Sequence, residues 1–238
     1  MQTVPEPVSM AEAPTTPETF ELIIPPSGEI VARDVSWEDF LANKNWEHVE
    51  WVDGWVVKMP GIDEKHDALN GFLFLLLTAY LHLSGLRGRI FQDPMLMKPF
   101  PHLPGRAPDL MLLLPEHLDR IGAKAVEGAA DLVIEIVSPK GERRDRIEKF
   151  REYEKAGVLE YWIFDWRFSE AAFYQLDENA EYQRIAPDEN GVYTSRVLPK
   201  FQLKIDLLWQ REFPDYLAIA RMVEAMLAAP AADAKQEE

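Results

Sequence analysis

Two apolar runs, residues 110–114 and 132–137, constrain this chain more than any other feature, and the second is broken by a single acid, Glu135. Apolar side chains on both alternations of a short run mark a strand covered on both faces. Such strands belong to the middle of a sheet with helices on each side. The surrounding pattern supplies the helices and further strands. Ser36 with Asp39 three residues on reads as a capping box opening a short helix to about Asn43. Asp53-Gly54 between two β-prone runs, 49–52 and 55–57, is a hairpin signal. Residues 64–84 read as a helix, apolar nearly all round and therefore buried, with Gly85 at its C-terminal end.

Shorter strands are expected near 89–92, 96–98 and 161–164, and meander-like segments at 172–176, 182–185 and 192–198. A charged amphipathic helix spans 142–156, closed by Gly157, and a last helix covers about 214–227. No internal repeat is visible. The expected fold class is α/β: a central mixed sheet flanked by helices, with a hairpin-rich C-terminal part. In 238 residues this makes one domain over 20–227. Residues 1–19, with four prolines and no cation, read as a flexible arm, and 228–238 as a frayed tail.

Composition excludes several functions. There is no cysteine, hence no disulfide scaffold, thiolate metal site or cysteine nucleophile, and a cytoplasmic location is expected. The N-terminus lacks the basic and apolar regions of a secretory signal, and the longest greasy run, 72–83, is short of the ~20 residues that span a bilayer. A soluble protein without membrane contact is expected. The net charge is −16, of which −11 lies on residues 20–227. That disfavours a general coater of duplex DNA. There is no phosphate-binding glycine loop, no G-x-S-x-G elbow and no H-E-x-x-H, and the five histidines have no metal-ligand spacing.

Glu135 is the informative residue. It shares a strand face with Val133 and Val137, and an ionised carboxylate there is costly unless paired or metal-bound. It is either a structural ion pair or a functional acid. Asp109, after Pro108 at the head of the first run, is ordinary turn chemistry when taken alone. Together, two carboxylates at adjacent strand ends supply the hard oxygen ligands that Mg²⁺ or Mn²⁺ prefers. On the following helix Asp145, Lys149 and Tyr153 are four apart and share a face. Residues 140–155 carry a net +2, which fits either a solvated helix or one that faces phosphate, with Lys140, Arg143 and Arg144 as its contacts.

These residues together resemble the Uma-type family of bacterial endonucleases, of the restriction-endonuclease-like PD-(D/E)xK superfamily. The resemblance rests on Pro108-Asp109, Glu135 within 131–139, Asp145-x3-Lys149-x3-Tyr153, and Gly157-Val158-x-Glu160-Tyr161-Trp162 with Asp165; Glu50 before Val52-Asp53-Gly54, and His66, also match. It covers about residues 35–206. It implies a Mg²⁺- or Mn²⁺-dependent nuclease acting on nucleic acid, with DNA the expected substrate and a homodimer the expected assembly. Asp109 and Glu135, with Glu50, would hold metal, and His66, Asp145 and Tyr153 would support the site. The superfamily's lysine two residues after the Glu is missing, because Val137 stands there. The resemblance moves that role to Lys149, whose pKa burial could tune. The alternatives are a non-catalytic descendant that dimerises or binds nucleic acid, and a hydrolase of small phosphoesters.

Overall fold

The computed structural model describes residues 25–139 and 141–229. The expected arm 1–19, most of the tail, and Lys140 lie outside the described residues.

The two apolar runs become β6 and β8 of a six-stranded mixed sheet. Along the chain come β1 (Glu29–Ala32), α1 (Trp37–Ala42), β2 (Val49–Val52), β3 (Trp55–Lys58), α2 (Glu64–Ser84), β4 (Arg89–Gln92), β5 (Leu96–Met97), β6 (Leu110–Leu113), β7 (Ala125–Val126), β8 (Leu132–Ile136), α3 (Lys149–Ala156), β9 (Glu160–Asp165), β10 (Glu170–Leu176), β11 (Tyr182–Ile185), β12 (Val192–Thr194), β13 (Gln202–Lys204) and α4 (Tyr216–Ala228). The sheet order is β11-β10-β9-β8-β6-β4. Only β8 and β9 pair parallel in it, which requires the crossover that α3 provides; the other pairs are antiparallel.

Each face of this sheet has its own core. Leu110, Leu112, Leu132, Ile134 and Ile136 meet α2 and α4 on one side. Met111, Leu113, Val133, Val137 and Tyr161 meet Tyr153 and Ala156 of α3 on the other. Glu135, on the alternation of Val133 and Val137, therefore points under α3. The α/β class and the covered central strands expected from the sequence are what the chain adopts.

Local signals act as expected at several element ends. Ser36 accepts from the Asp39 N–H at 3.0 Å. Asp53 (φ 47°) and Gly54 (φ 85°) make the left-handed turn of the β2–β3 hairpin, which β1 extends to a three-stranded sheet. Gly85 closes α2 in the left-handed region. One expectation is corrected. Helix α2 is not enclosed all round: its inner face packs on the sheet and α4, while Leu75 and Leu83 are exposed on its outer face. By length and composition this 21-residue helix could cross a membrane, yet its apolar inner face is used by the core.

A candidate active site between the sheet and its crossover helix

Four elements bring the charged residues together. Asp109 stands at the entry to β6, Glu135 on β8, Glu50 on β2, and Lys149 at the start of α3. All four are buried. Lys149 Nζ lies 2.7 Å from Glu135 Oε1, 3.2 Å from Glu50 Oε1 and 3.8 Å from Asp145 Oδ1. Tyr153, one turn further along α3, donates its hydroxyl to the same Glu135 Oε1 at 2.8 Å. Asp109 Oδ2 accepts from the Ile136 N–H at 2.6 Å and faces His66 Nε2 at 3.3 Å.

The turn before α3 is wider than an ordinary helix. The Lys149 N–H bonds the carbonyl of Arg144, five residues back, over a π-type stretch at Arg144–Glu148. Such bulges recur at functional sites because they re-aim side chains. Gly141 opens this stretch, and a Cβ there would fall 2.7 Å from Ser138 Oγ and 2.9 Å from Asp145 Oδ2. A larger residue here would have to push these side-chain tips aside.

Crowded burial shapes the electrostatics. Burial pushes the Glu135 carboxyl up, Asp109 and Asp145 add to the rise against the opposing Lys149, and it reaches about 8. Asp145 is raised for the same first reason. Burial acts on Glu50 as well, but Lys149, Arg106 and Arg144 outweigh it and hold that carboxyl at about 2. Lys149 would be lowered by burial, yet Glu135, Glu50 and Asp145 raise it above its ordinary value. It is therefore a permanent cation at neutral pH and not a proton acceptor. His66 is raised by its hydrogen bond to Asp109 and that residue's charge, which overcome its burial.

The expected residues divide into two groups. Asp109, Glu135, His66, Asp145, Lys149 and Arg144 line one small cavity of about 20 Å³, roughly the space of one water molecule or a small cation. Glu50 is not in its wall. Its oxygens meet Lys149, the Ala107 N–H at 3.2 Å and Arg106 Nη1 at 3.0 Å, which makes it a buried counter-ion of the lysine. Tyr153 steadies Glu135 rather than Lys149. Arg144 is turned inward, with Nε 3.4 Å from Asp145, and is not a surface phosphate contact; Arg143 is exposed and 3.6 Å from Glu148.

Arg106 and Ser138 carry no sequence signal of their own. Arg106 is buried and binds Glu50 and, through two bonds of 2.7 Å, Glu152. The Ser138 hydroxyl lines the cavity, buried without a partner among the described residues, as is His66 Nδ1. The cavity shares Met59, Pro60, Ile62, Ser138 and Arg144 with an open groove of about 500 Å³ that leads outward.

Among the described residues no three His, Cys, Asp or Glu side chains are gathered as a ready-made metal cage. The donors still suit one class of ion. Both partners of Glu135 take Oε1 and both partners of Asp109 take Oδ2, so each carboxylate has a second oxygen to offer. A hard cation held by one or two carboxylates and otherwise by water is the usual Mg²⁺ arrangement.

The Uma2 family, described as "Putative restriction endonuclease", matches residues 37–206. The chain belongs to this family. Its fold is shared with a crystal structure described as "a putative nuclease belonging to DUF820" from Anabaena variabilis, with a TM-score of 0.62 at 19% sequence identity, covering 74% of this chain and 97% of that one. No curated protein matches the chain. Membership in the family supports a nuclease-like function and a nucleic-acid substrate.

Proposed function

We propose that this protein is a metal-dependent endonuclease that hydrolyses phosphodiester bonds of DNA. The observation that carries the reading is the meeting of Asp109, Glu135 and Lys149 from two adjacent strands and the crossover helix around one ion-sized cavity. Asp109 and Glu135 would hold Mg²⁺ or Mn²⁺ through their second oxygens. A bound cation of this kind lowers the pKa of water and offsets charge on a phosphate in reaction.

The chain's own groups have separate tasks. Lys149, held protonated, sits where negative charge builds up as the phosphate is attacked, and it needs no reorganisation to act. Tyr153 fixes the orientation of Glu135. His66 holds Asp109 through Oδ2 at 3.3 Å. Glu50 and Arg106 keep Lys149 in place. Arg144 and Ser138 stand where the groove meets the cavity, on the path a phosphate would take. A second copy of the chain would be needed to cut both strands of a duplex at one place, so a homodimer is part of the proposal.

The test is incubation with plasmid, single-stranded and branched DNA in Mg²⁺ or Mn²⁺, beside the Glu135→Ala variant. Cleavage by the parent that is lost in the variant is expected. No cleavage in any format, or equal cleavage by the variant, refutes the reading.

A further inference from the structure

A second cavity, of about 620 Å³, lies across the first turn of α2 from the carboxylates. Trp166, Trp209 and Phe213 form aromatic walls, and Glu64, Lys65 and Arg211 supply charge. Its size is that of pockets which enclose small organic ligands. Phe213 is braced by stacking on Phe72 at 4.7 Å. Lys65 Nζ rests 4.8 Å from the centre of the Trp166 ring. The Trp166 indole N–H is buried and has no hydrogen-bond partner among the described residues, an uncommon state for a group that usually finds one.

Its position ties this cavity to the candidate active site. Lys65 belongs to the cavity and the next residue, His66, to the carboxylates. Trp166 sits on the turn after β9, and β9 runs parallel to β8, so the turn emerges at the same sheet edge as the end of β8 beyond Glu135. The same turn holds Arg167, bonded to Asp165 at 2.7 Å, and Phe168, which is 70% exposed.

We infer that this cavity takes an unpaired nucleobase of the substrate. Aromatic walls offer stacking to any base, the Trp166 N–H offers one donor, and Lys65 and Arg211 offer charge to the adjoining phosphates. A base that displaces Lys65 from the Trp166 ring gains the ring face. Phe168, exposed next to the cavity residue Ser169, provides a second stacking surface outside it. Aromatic platforms joined to cations are the usual means of holding single strands, because every unpaired base has an open π-face. In a duplex those faces are stacked on one another. The strongly acidic body works in the same direction, since it weakens duplex binding through phosphates alone. This inference rests on the nuclease reading for the identity of the ligand: it makes the substrate single-stranded or locally unpaired near the scissile phosphate.

The experiment compares a fluorescein-labelled 15-nucleotide single strand with its blunt duplex by anisotropy in EDTA, where no metal-dependent cleavage occurs. The parent should bind the single strand about tenfold or more tighter than the duplex, with quenching of tryptophan emission. Phe168→Ala and the double variant Lys65→Ala/Arg211→Ala, all at exposed positions, should each weaken single-strand binding about tenfold; Phe168→Ala should leave duplex binding unchanged, and the double variant should weaken it less than strand binding. Trp166→Phe removes the N–H and narrows the aromatic face from an indole to a phenyl ring, and should weaken strand binding several-fold. Equal affinity for strand and duplex, or variants that bind the strand like the parent, overturns the inference. A peptide or a second copy of the chain as the true occupant would give that same result. The two readings fail separately. Strand binding in EDTA without cleavage in Mn²⁺ refutes the nuclease and keeps the base site. Cleavage of duplex that ignores all three variants keeps the nuclease and refutes the base site.

Discussion

Lys149 offers the most direct test of the site's energetics. It is enclosed, with Glu135 at 2.7 Å and Glu50 at 3.2 Å. Glu135, raised to about 8, is mostly protonated at pH 7 and accepts the ammonium's hydrogen bond without a full charge, whereas Glu50, held at about 2, is ionised; at an effective dielectric of about 20, unit charges 3.2 Å apart attract by roughly 5 kcal/mol. Desolvation of each ion, several kcal/mol, offsets most of that gain. Removing only the cation keeps the cost and discards the attraction. Lys149→Met should therefore destabilise the fold by about 3–5 kcal/mol at pH 7, even though methionine fills much the same volume. Glu50→Gln added to it should recover at least about 1 kcal/mol relative to the sum of the single changes, because the neutral pair leaves no orphaned carboxylate at that contact. Acid should also rescue the single variant. Without Lys149 the burial of Glu50 loses the foremost of the cations that oppose it, so in the folded variant the Glu50 carboxyl moves up from about 2 and takes up a proton that the parent does not. The deficit should shrink as pH falls from 7 to 5. Urea unfolding at both pH values measures all three quantities. A cost under about 1 kcal/mol, additive single changes, or a deficit independent of pH would refute the enclosed ion cluster.

Three further outcomes are expected. Since Glu135 is raised to about 8 and metal requires it ionised, Mn²⁺ should bind at least about tenfold tighter at pH 8.5 than at pH 6.5 by calorimetry, and equal affinities would contradict this. Glu50, held at about 2, contributes stability that is present above about pH 4.5 and lost as pH falls towards 2; Glu50→Gln should cost about 3 kcal/mol at pH 7 and flatten the acid-unfolding curve below pH 4.5. Glu160 is buried and accepts from Trp162 Nε1 at 3.0 Å, Ser195 Oγ at 2.9 Å, the Val197 N–H at 3.1 Å and the Arg196 N–H, so Glu160→Leu should destabilise by about 3 kcal/mol in thermal unfolding without changing any cleavage activity.

Much of this architecture can be read from local pattern. The Asp53-Gly54 hairpin, the ends of α2 and the strands at 110–113 and 132–136 depend on residues within a few positions of one another, which is the range over which propensity and periodicity act. Glu135 stands out for a related reason: a charge among apolar neighbours must be answered by something distant, so it signals a site without identifying the partner, and Asp109 gains meaning only beside it. The partners themselves are tertiary. Nothing near Arg106 in the sequence marks it as the residue that bridges Glu50 and Glu152, and the inward turn of Arg144 depends on the wide turn at 144–148, which helical periodicity does not forecast. Strand β1 at 29–32 and the short β13 at 202–204 are similarly invisible, since each gains its structure from the neighbour it pairs with.

The absence of a lysine at position 137 follows from the same packing. Val137 lies on the alternation of Glu135 and is fully enclosed in the core between the sheet and α3. A lysine there would have to bring its charge out past Tyr153 and Ala156, which close that face. The crossover helix already lies across Glu135, and the wide turn at its start aims the side chain of Lys149 down at the same carboxylate. A cation delivered from above needs no path through the core, and Glu50 and Asp145 bind it from either side. A lysine on the helix therefore contacts the acid while position 137 remains available for packing. A Val137→Lys/Lys149→Met variant, which carries the simpler spacing, should consequently fold less stably than Lys149→Met alone; greater stability in urea would mean that the core under α3 does not disfavour a lysine at position 137.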